Sequence, residues 1–340
     1  MRTRALGTSG PELTTVGFGS WAVGGPWKFG WGPVDDDESV AAIRHAIERG
    51  VNWIDTAAVY GLGHSEEVVG RAVEPFRVGE DVFVFTKCGR RWPQGPDTIE
   101  NDLRPSSIRE ECEDSLRRLG VDRIDLFQFH WPDWTTGTAL EESWATMGEL
   151  VEEGKVRWAG VCNFDVEQLA RCEAVRHVDS VQPPLSLLAR GARSTVAPWA
   201  AEHGTGVIVY SPMGSGMLTG AFDAERIARL DPADWRRQSP VFSEPMLGRN
   251  LALVERLRPL AERLGTSLPA LAVAWTLAQP GVTAAIVGAR LPRHVDGWLP
   301  GADLELSEAE LHEIDHAIAD TAAGSDEPPM PPPHMRLARS

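Results

Sequence analysis

Eight short apolar runs, alternating with segments of helical periodicity, restrict this chain to a small set of folds. The runs cover 16–19, 51–55, 82–87, 123–129, 156–161, 180–182, 206–210 and 283–287. Several are almost unbroken in Val, Ile and Phe, as in Val82-Phe83-Val84-Phe85. A strand that is apolar on both faces belongs in a parallel sheet covered by helices. The segments between carry helix signals. Asp35, Asp36 and Asp37 offer N-caps to a helix through Arg49, with Val40, Ile43 and Ile47 on one face and Gly50 as its stop. Pro105 opens another, in which Ile108, Cys112, Leu116 and Leu119 share a face and Gly120 ends the run. Further helices are expected at 65–73, 140–153, 165–175, 194–203, 251–264, 268–279 and 308–319. Eight βα units over about 300 residues read as an α/β fold of the (β/α)8 TIM-barrel type, with a doubly wound sheet as the alternative.

Outside this rhythm lie three segments. Residues 1–15 read as an N-terminal hairpin cap around Gly7-Thr8-Ser9-Gly10-Pro11. Residues 211–248 form a long loop, and 324–340 a Pro-rich, irregular tail. No linker interrupts the pattern, so residues 1–340 read as one domain. Lys plus Arg is 33 and Asp plus Glu is 49, a net charge of −16. That argues against nucleic acid and anionic membrane as partners, since both require a basic surface. No stretch approaches the roughly 18 uninterrupted apolar residues of a membrane span. The four cysteines, Cys88, Cys112, Cys162 and Cys172, form no C-x-x-C pair, which fits a reducing cytoplasm.

A TIM barrel gathers its chemistry at the C-terminal ends of its strands. Asp55 ends the second run, Lys87 the third, and His130 follows the fourth. With neighbouring strands about 4.8 Å apart, the three would stand side by side. Tyr60, one of only 2 tyrosines, follows Asp55 by five residues and would arch over the same mouth. A carboxylate, an ammonium, an imidazole and a phenol would then meet from three consecutive strands. His130, His177 and His203 show no metal-ligand spacing, so no metal site is expected.

These residues lie in motifs that resemble the aldo-keto reductase superfamily. The matching pieces include Ile54-Asp55-Thr56-Ala57-x-x-Tyr60-Gly61, Phe85-Thr86-Lys87-Cys88-Gly89 and Gln128-Phe129-His130-Trp131-Pro132-Asp133. They continue through Gly160-Val161-Cys162-Asn163-Phe164, Gln182-Pro183-Pro184, Tyr210-Ser211-Pro212 and Ile286-Val287-Gly288-Ala289-Arg290. The pieces run in the expected order across residues 4–320 and most resemble the bacterial general-stress-protein-69-like branch. The resemblance implies hydride transfer between a nicotinamide and a carbonyl carbon. Tyr60 is then the expected general acid, because the alkoxide formed needs a proton. Lys87 is expected to lower the pKa of the phenol, Asp55 to hold Lys87, and His130 to orient the carbonyl.

The same resemblance places the cofactor. Asn163 and Gln182 are expected at the nicotinamide carboxamide, near Asp55, with Tyr210 stacked on the ring. The loop Ser211-Pro212-Met213-Gly214-Ser215-Gly216-Met217-Leu218 is expected over the pyrophosphate, with Gly19, Ser20 and Trp21 opposite. Gly288 and Arg290 are expected at the adenosine phosphate, with His294 where a Gln often stands. Arg290 suits a 2′-phosphate, which favours NADP(H) over NAD(H). Cys162 replaces the usual Ser, and Gly297 and Trp298 replace a Glu-Asn pair.

Of the 13 tryptophans, Trp21, Trp27, Trp31, Trp92, Trp131 and Trp134 fall in loops expected to line the mouth. Aromatic walls suit a bulky aldehyde or ketone, or the faces of a sugar or glycoside. Asp133 reads equally as a loop cap or a hydroxyl binder. Three roles follow: an NADP(H)-dependent carbonyl reductase, a sugar or glycoside dehydrogenase using the same four groups, and a non-catalytic cofactor-sensing subunit. The oligomeric state is left open.

Overall fold

The computed structural model describes residues 1–27, 29–95, 98–231 and 234–327. In chain order, β1 (Thr3–Ala5) and β2 (Glu12–Thr14) form the hairpin and β3 (Val16–Gly19) begins the barrel. Then come α1 (Asp36–Glu48), β4 (Trp53–Asp55), α2 (His64–Val73), β5 (Phe83–Cys88), the small pair β6 (Arg90–Arg91) and β7 (Glu100–Asn101), α3 (Pro105–Leu119) and β8 (Ile124–Phe129). They are followed by α4 (Leu140–Glu152), β9 (Val156–Cys162), α5 (Val166–Glu173), β10 (Ser180–Gln182), α6 (Val196–His203) and β11 (Gly206–Tyr210). The chain continues through α7 (Ala224–Ala228), α8 (Met246–Arg263), α9 (Leu268–Leu277), β12 (Ala284–Gly288), α10 (Pro292–Trp298) and α11 (Glu308–Thr321).

Eight parallel strands close a barrel in the order β10-β11-β12-β3-β4-β5-β8-β9, with helices around it. The fold is the (β/α)8 barrel, not the doubly wound sheet. Side chains alternate along each strand. Ile54, Val84 and Phe127 face outward and pack into the large core shared with the helices. Trp53, Phe85, Leu126, Trp158 and Ile208 face inward and fill the barrel. Leu6 and Leu13 of the hairpin join that inner cluster, both fully buried. The Trp53 indole donates to the Thr14 carbonyl at 2.8 Å and the Trp158 indole to Ser9 at 2.8 Å. The hairpin is therefore a plug in the N-terminal end of the barrel.

Local signals explain most helix ends. Asp35 caps α1 by accepting from the Asp37 and Glu38 amides. Asp165 with Gln168, and Ser307 with Glu310, form capping boxes on α5 and α11. The expected loop 211–248 is broken by α7 and short 3-10 turns, and α8 starts at Met246. The sequence shows no periodicity for α10 or for the β6–β7 pair, since each is too short to display one. Of the expected tail, residues 328–340 lie outside the described residues. Its start is tied down: Arg190 holds Asp326 at 2.9 and 3.0 Å, and Ala189 bridges to Ser325.

Candidate active site

The alternation that puts Trp53, Phe85 and Leu126 in the barrel also turns in the residues two places further along. Asp55, Lys87 and Gln128 form the next layer, all buried. Lys87 Nζ lies 2.5 Å from Asp55 Oδ2, 2.8 Å from the Thr56 carbonyl oxygen and 3.4 Å from the Tyr60 hydroxyl. The Tyr60 and His130 rings meet edge to face with centroids 5.5 Å apart. The turn after Tyr60 requires Gly61, which has φ +62; a Cβ there would stand 1.9 Å from the Gly24 carbonyl oxygen. The four groups expected at one mouth are thus brought together.

Burial pushes the Tyr60 phenol up to about 12, against the downward pull of Lys87. Lys87 therefore limits the rise rather than bringing the phenol below its ordinary value, because burial outweighs it and Asp55 adds a smaller push in the same direction as burial. Burial opposes the charge on Lys87 itself, but Asp55 and Tyr60 outweigh it and its pKa ends above the ordinary value. Burial, with Lys87 and Arg90 nearby, holds His130 well below the usual imidazole range. His130 is accordingly neutral, and its Nδ1 is buried with no hydrogen-bond partner among the described residues.

The neighbouring strand ends carry the expected cofactor residues. Asn163, with φ 65, receives the Tyr210 hydroxyl at 2.8 Å and donates to the His130 carbonyl at 3.0 Å and to Cys162 Sγ at 3.1 Å. Gln182 Nε2 donates to Asp55 Oδ1 at 2.9 Å. Gly19 and Gly288 face each other in the β3–β12 register. A Cβ on Gly288 would find only the Gly19 carbonyl, at 3.6 Å, so Gly288 is bare backbone open to a close-lying ligand, whereas a Cβ on Gly19 would strike Ile286 Cγ2 at 2.7 Å. The Ser20 hydroxyl points away, toward Ser65 at 2.8 Å. Ser211 has φ 58, and Gly214–Thr219 wind in 3-10 turns interrupted at Ser215 and Gly216, with Gly214 and Gly216 at positive φ and Leu218 buried. Pro212 is buried and Met213 half-buried in the same loop. Arg290 Nη1 donates to the Trp31 carbonyl at 3.3 Å, and the Arg290 amide donates to His294 Nδ1 at 3.4 Å.

The tryptophans divide. Trp27 lies 6.3 Å from the Tyr60 ring, Trp21 lies 5.9 Å from Trp31, and Trp131 lies 6.4 Å from Trp134. Trp92 instead lines a separate cavity of about 150 Å³ with Ala58, Arg91, Glu111 and Arg118. Glu111 there is pushed up to about 8 by burial. Asp133 spends its oxygens on the Leu103, Thr135 and Thr136 amides, which makes it a loop cap. Sequence reasoning missed Trp235, 5.5 Å from Trp21, and Arg236, 4.3 Å over Trp31. Both come from the long loop, whose lack of periodicity gave no clue to which side chains turn inward.

Comparison with known proteins gives this barrel a family. The aldo/keto reductase family model matches residues 15–319. The chain is 34% identical over 322 residues to the aldo-keto reductase YhdN of Bacillus subtilis (strain 168), covering 94% of this chain and 95% of that one. It is 33% identical over 321 residues to the NADH-specific methylglyoxal reductase of Escherichia coli (strain K12), covering 91% and 96%. The structure of the glycerol dehydrogenase AKR11B4 from Gluconobacter oxydans superposes with a TM-score of 0.85 at 37% identity, covering 97% of this chain and 98% of that one. The chain belongs to the aldo/keto reductase family. No helix among the described residues is long and apolar enough to cross a membrane. Among them no His, Cys, Asp and Glu side chains cluster as a metal site would require.

Proposed function

We propose that the protein is an NADP(H)-dependent carbonyl reductase in which Tyr60 delivers the proton. The carrying observation is the Tyr60 hydroxyl 3.4 Å from a lysine that is itself paired with Asp55 at 2.5 Å. A bound nicotinamide supplies the hydride. The bare backbone at Gly288 suits such a flat ligand, and the family resemblance assigns the carboxamide to Asn163 and Gln182, whose amides here donate to the His130 carbonyl and to Asp55. Tyr60 stays protonated at neutral pH and so is loaded as a donor. Neutral His130 carries one ring proton; with no acceptor at Nδ1, it belongs on Nε2, where it can orient a carbonyl oxygen. Once Tyr60 has given up its proton, Lys87 stabilises the phenolate. Arg290 and His294 form the group that would read an adenosine phosphate, which supports NADP(H); the relative named NADH-specific is the counter-case.

The oxidative use of the same site on a sugar or other polyol is the second reading, supported by the likeness to a glycerol dehydrogenase. Purified protein with NADPH and an aryl aldehyde is expected to consume NADPH, and Tyr60→Phe to slow this by roughly 10²–10⁴-fold. Equal turnover by the variant rules the mechanism out. Turnover of polyols with NADP⁺, with aldehydes inert, favours the second reading.

A further inference from the structure

Lys87 occupies only one oxygen of Asp55. The other, Oδ1, accepts from Gln182 Nε2 at 2.9 Å and from Gln128 Nε2 at 3.4 Å. Gln182 Nε2 also donates to Gln128 Oε1 at 3.2 Å, and Gln182 Oε1 accepts from Cys162 Sγ at 3.6 Å. A carboxylate can only accept, so both amides must turn their NH2 groups toward it, and every other contact in the set agrees with that orientation. The backbone explains how Gln128 gets there. It stands beside Lys87 in the β5–β8 register and beside Gly160 in the β8–β9 register. A Cβ on Gly160 would lie 3.2 Å from Gln128 Cγ, so the glycine leaves the room in which the Gln128 side chain lies.

We propose that Gln128 is a positioning residue that, together with Gln182, clamps Asp55 and so fixes Lys87 relative to Tyr60. The inference rests on the role proposed for Tyr60 and extends it to a side chain that touches neither substrate nor phenol. Lys87 ends a flexible four-carbon stem inside the barrel, and its position is set by its acceptors, Asp55 and the Thr56 carbonyl. The terminal torsion of an aspartate is broad, so a carboxylate held by one oxygen alone can turn and carry the ammonium with it. Two amide donors on Oδ1 remove that freedom. They also solvate the charge that burial would otherwise penalise.

Lysine ammonium NMR tests this without turnover, because the sequence contains only Lys28, Lys87 and Lys155. In the full-length protein, Lys87 is expected to give a slowly exchanging ¹⁵Nζ signal, since it is buried and paired. In Gln128→Met that signal is expected to shift, and its exchange with water to quicken by about threefold or more. The kcat for aldehyde reduction is expected to fall about tenfold, with KM for aldehyde and Kd for NADPH within about twofold. Gln128→Leu also removes the amide donor and adds no charge beside Asp55 and Lys87. It is expected to change the Lys87 signal in the same way and decides the matter if Gln128→Met does not fold. An unchanged Lys87 signal in a folded variant overturns the clamp, whatever happens to kcat. If the wild-type protein reduces no carbonyl, the proposed function falls, while the Lys87 signal still decides the clamp.

Discussion

Lys87 stands closer to Asp55, at 2.5 Å, than to Tyr60, at 3.4 Å, so the ammonium belongs first to the carboxylate. Burial of the phenol outweighs the pull of that ammonium, and Asp55 weakens the pull further. The phenol remains a reluctant acid, and that shapes how its activity should vary with pH.

Burial raises Tyr60 to about 12, and reduction needs the protonated phenol. Reductive kcat is therefore expected to stay level through the neutral and mildly alkaline range and to fall only as pH nears the raised value. Oxidation needs the phenolate, which is the minor form throughout that range, so its rate should rise about tenfold per pH unit. Steady-state profiles in both directions check this. A reductive limb with a midpoint near 7 would show that another group controls the proton.

Arg290 is assigned above to the adenosine end, and its guanidinium donates to the Trp31 carbonyl at 3.3 Å. Arg290→Ala is expected to weaken NADPH by about tenfold or more and NADH by little, because a 2′-phosphate loses a charge-assisted partner. Fluorescence titration with both nucleotides measures the difference. An equal loss for both would sink the assignment to the 2′-phosphate.

Trp235 and Trp92 form a contrasting pair. Trp235 packs on Trp21 at 5.5 Å, whereas Trp92 lines the separate cavity beside Glu111. Trp235→Ala is expected to raise KM for a bulky aldehyde about tenfold through lost aromatic surface. Trp92→Ala should leave KM within about twofold. The opposite ranking in an initial-rate comparison would put Trp92, not Trp235, against the substrate.

Leu13 is fully buried in the cluster inside the barrel. Leu13→Ala is expected to cost about 2–5 kcal/mol of stability, as a buried leucine does when truncated. Chemical denaturation should show this while kcat at 25 °C holds. A loss below about 1 kcal/mol would mean that the hairpin does not plug the barrel.

The barrel was legible because its strands are short, apolar and evenly spaced, and because inward and outward positions alternate. Asp55, Lys87 and His130 could be placed together from strand ends alone. Gln128 was within reach of the same logic, since it lies two places beyond the inward Leu126, but a polar residue inside an apolar run drew no role. Trp235 and Arg236 were out of reach, because a loop without periodicity does not reveal which side chains turn inward. The effect of Lys87 on Tyr60 could not be read from composition either. It is a balance between burial and two opposite charges, and only the distances settle which prevails.

The hairpin plug has a further consequence for traffic through the molecule. Leu6 and Leu13 close one end of the barrel with hydrocarbon, so the polar layer of Asp55, Lys87 and Gln128 rests on an apolar floor. With Tyr60 as the proposed donor, its proton is expected to be replenished from the opposite, strand-end side, where Trp27 packs near it. A ligand lodged there is then expected to stall reprotonation as well as entry.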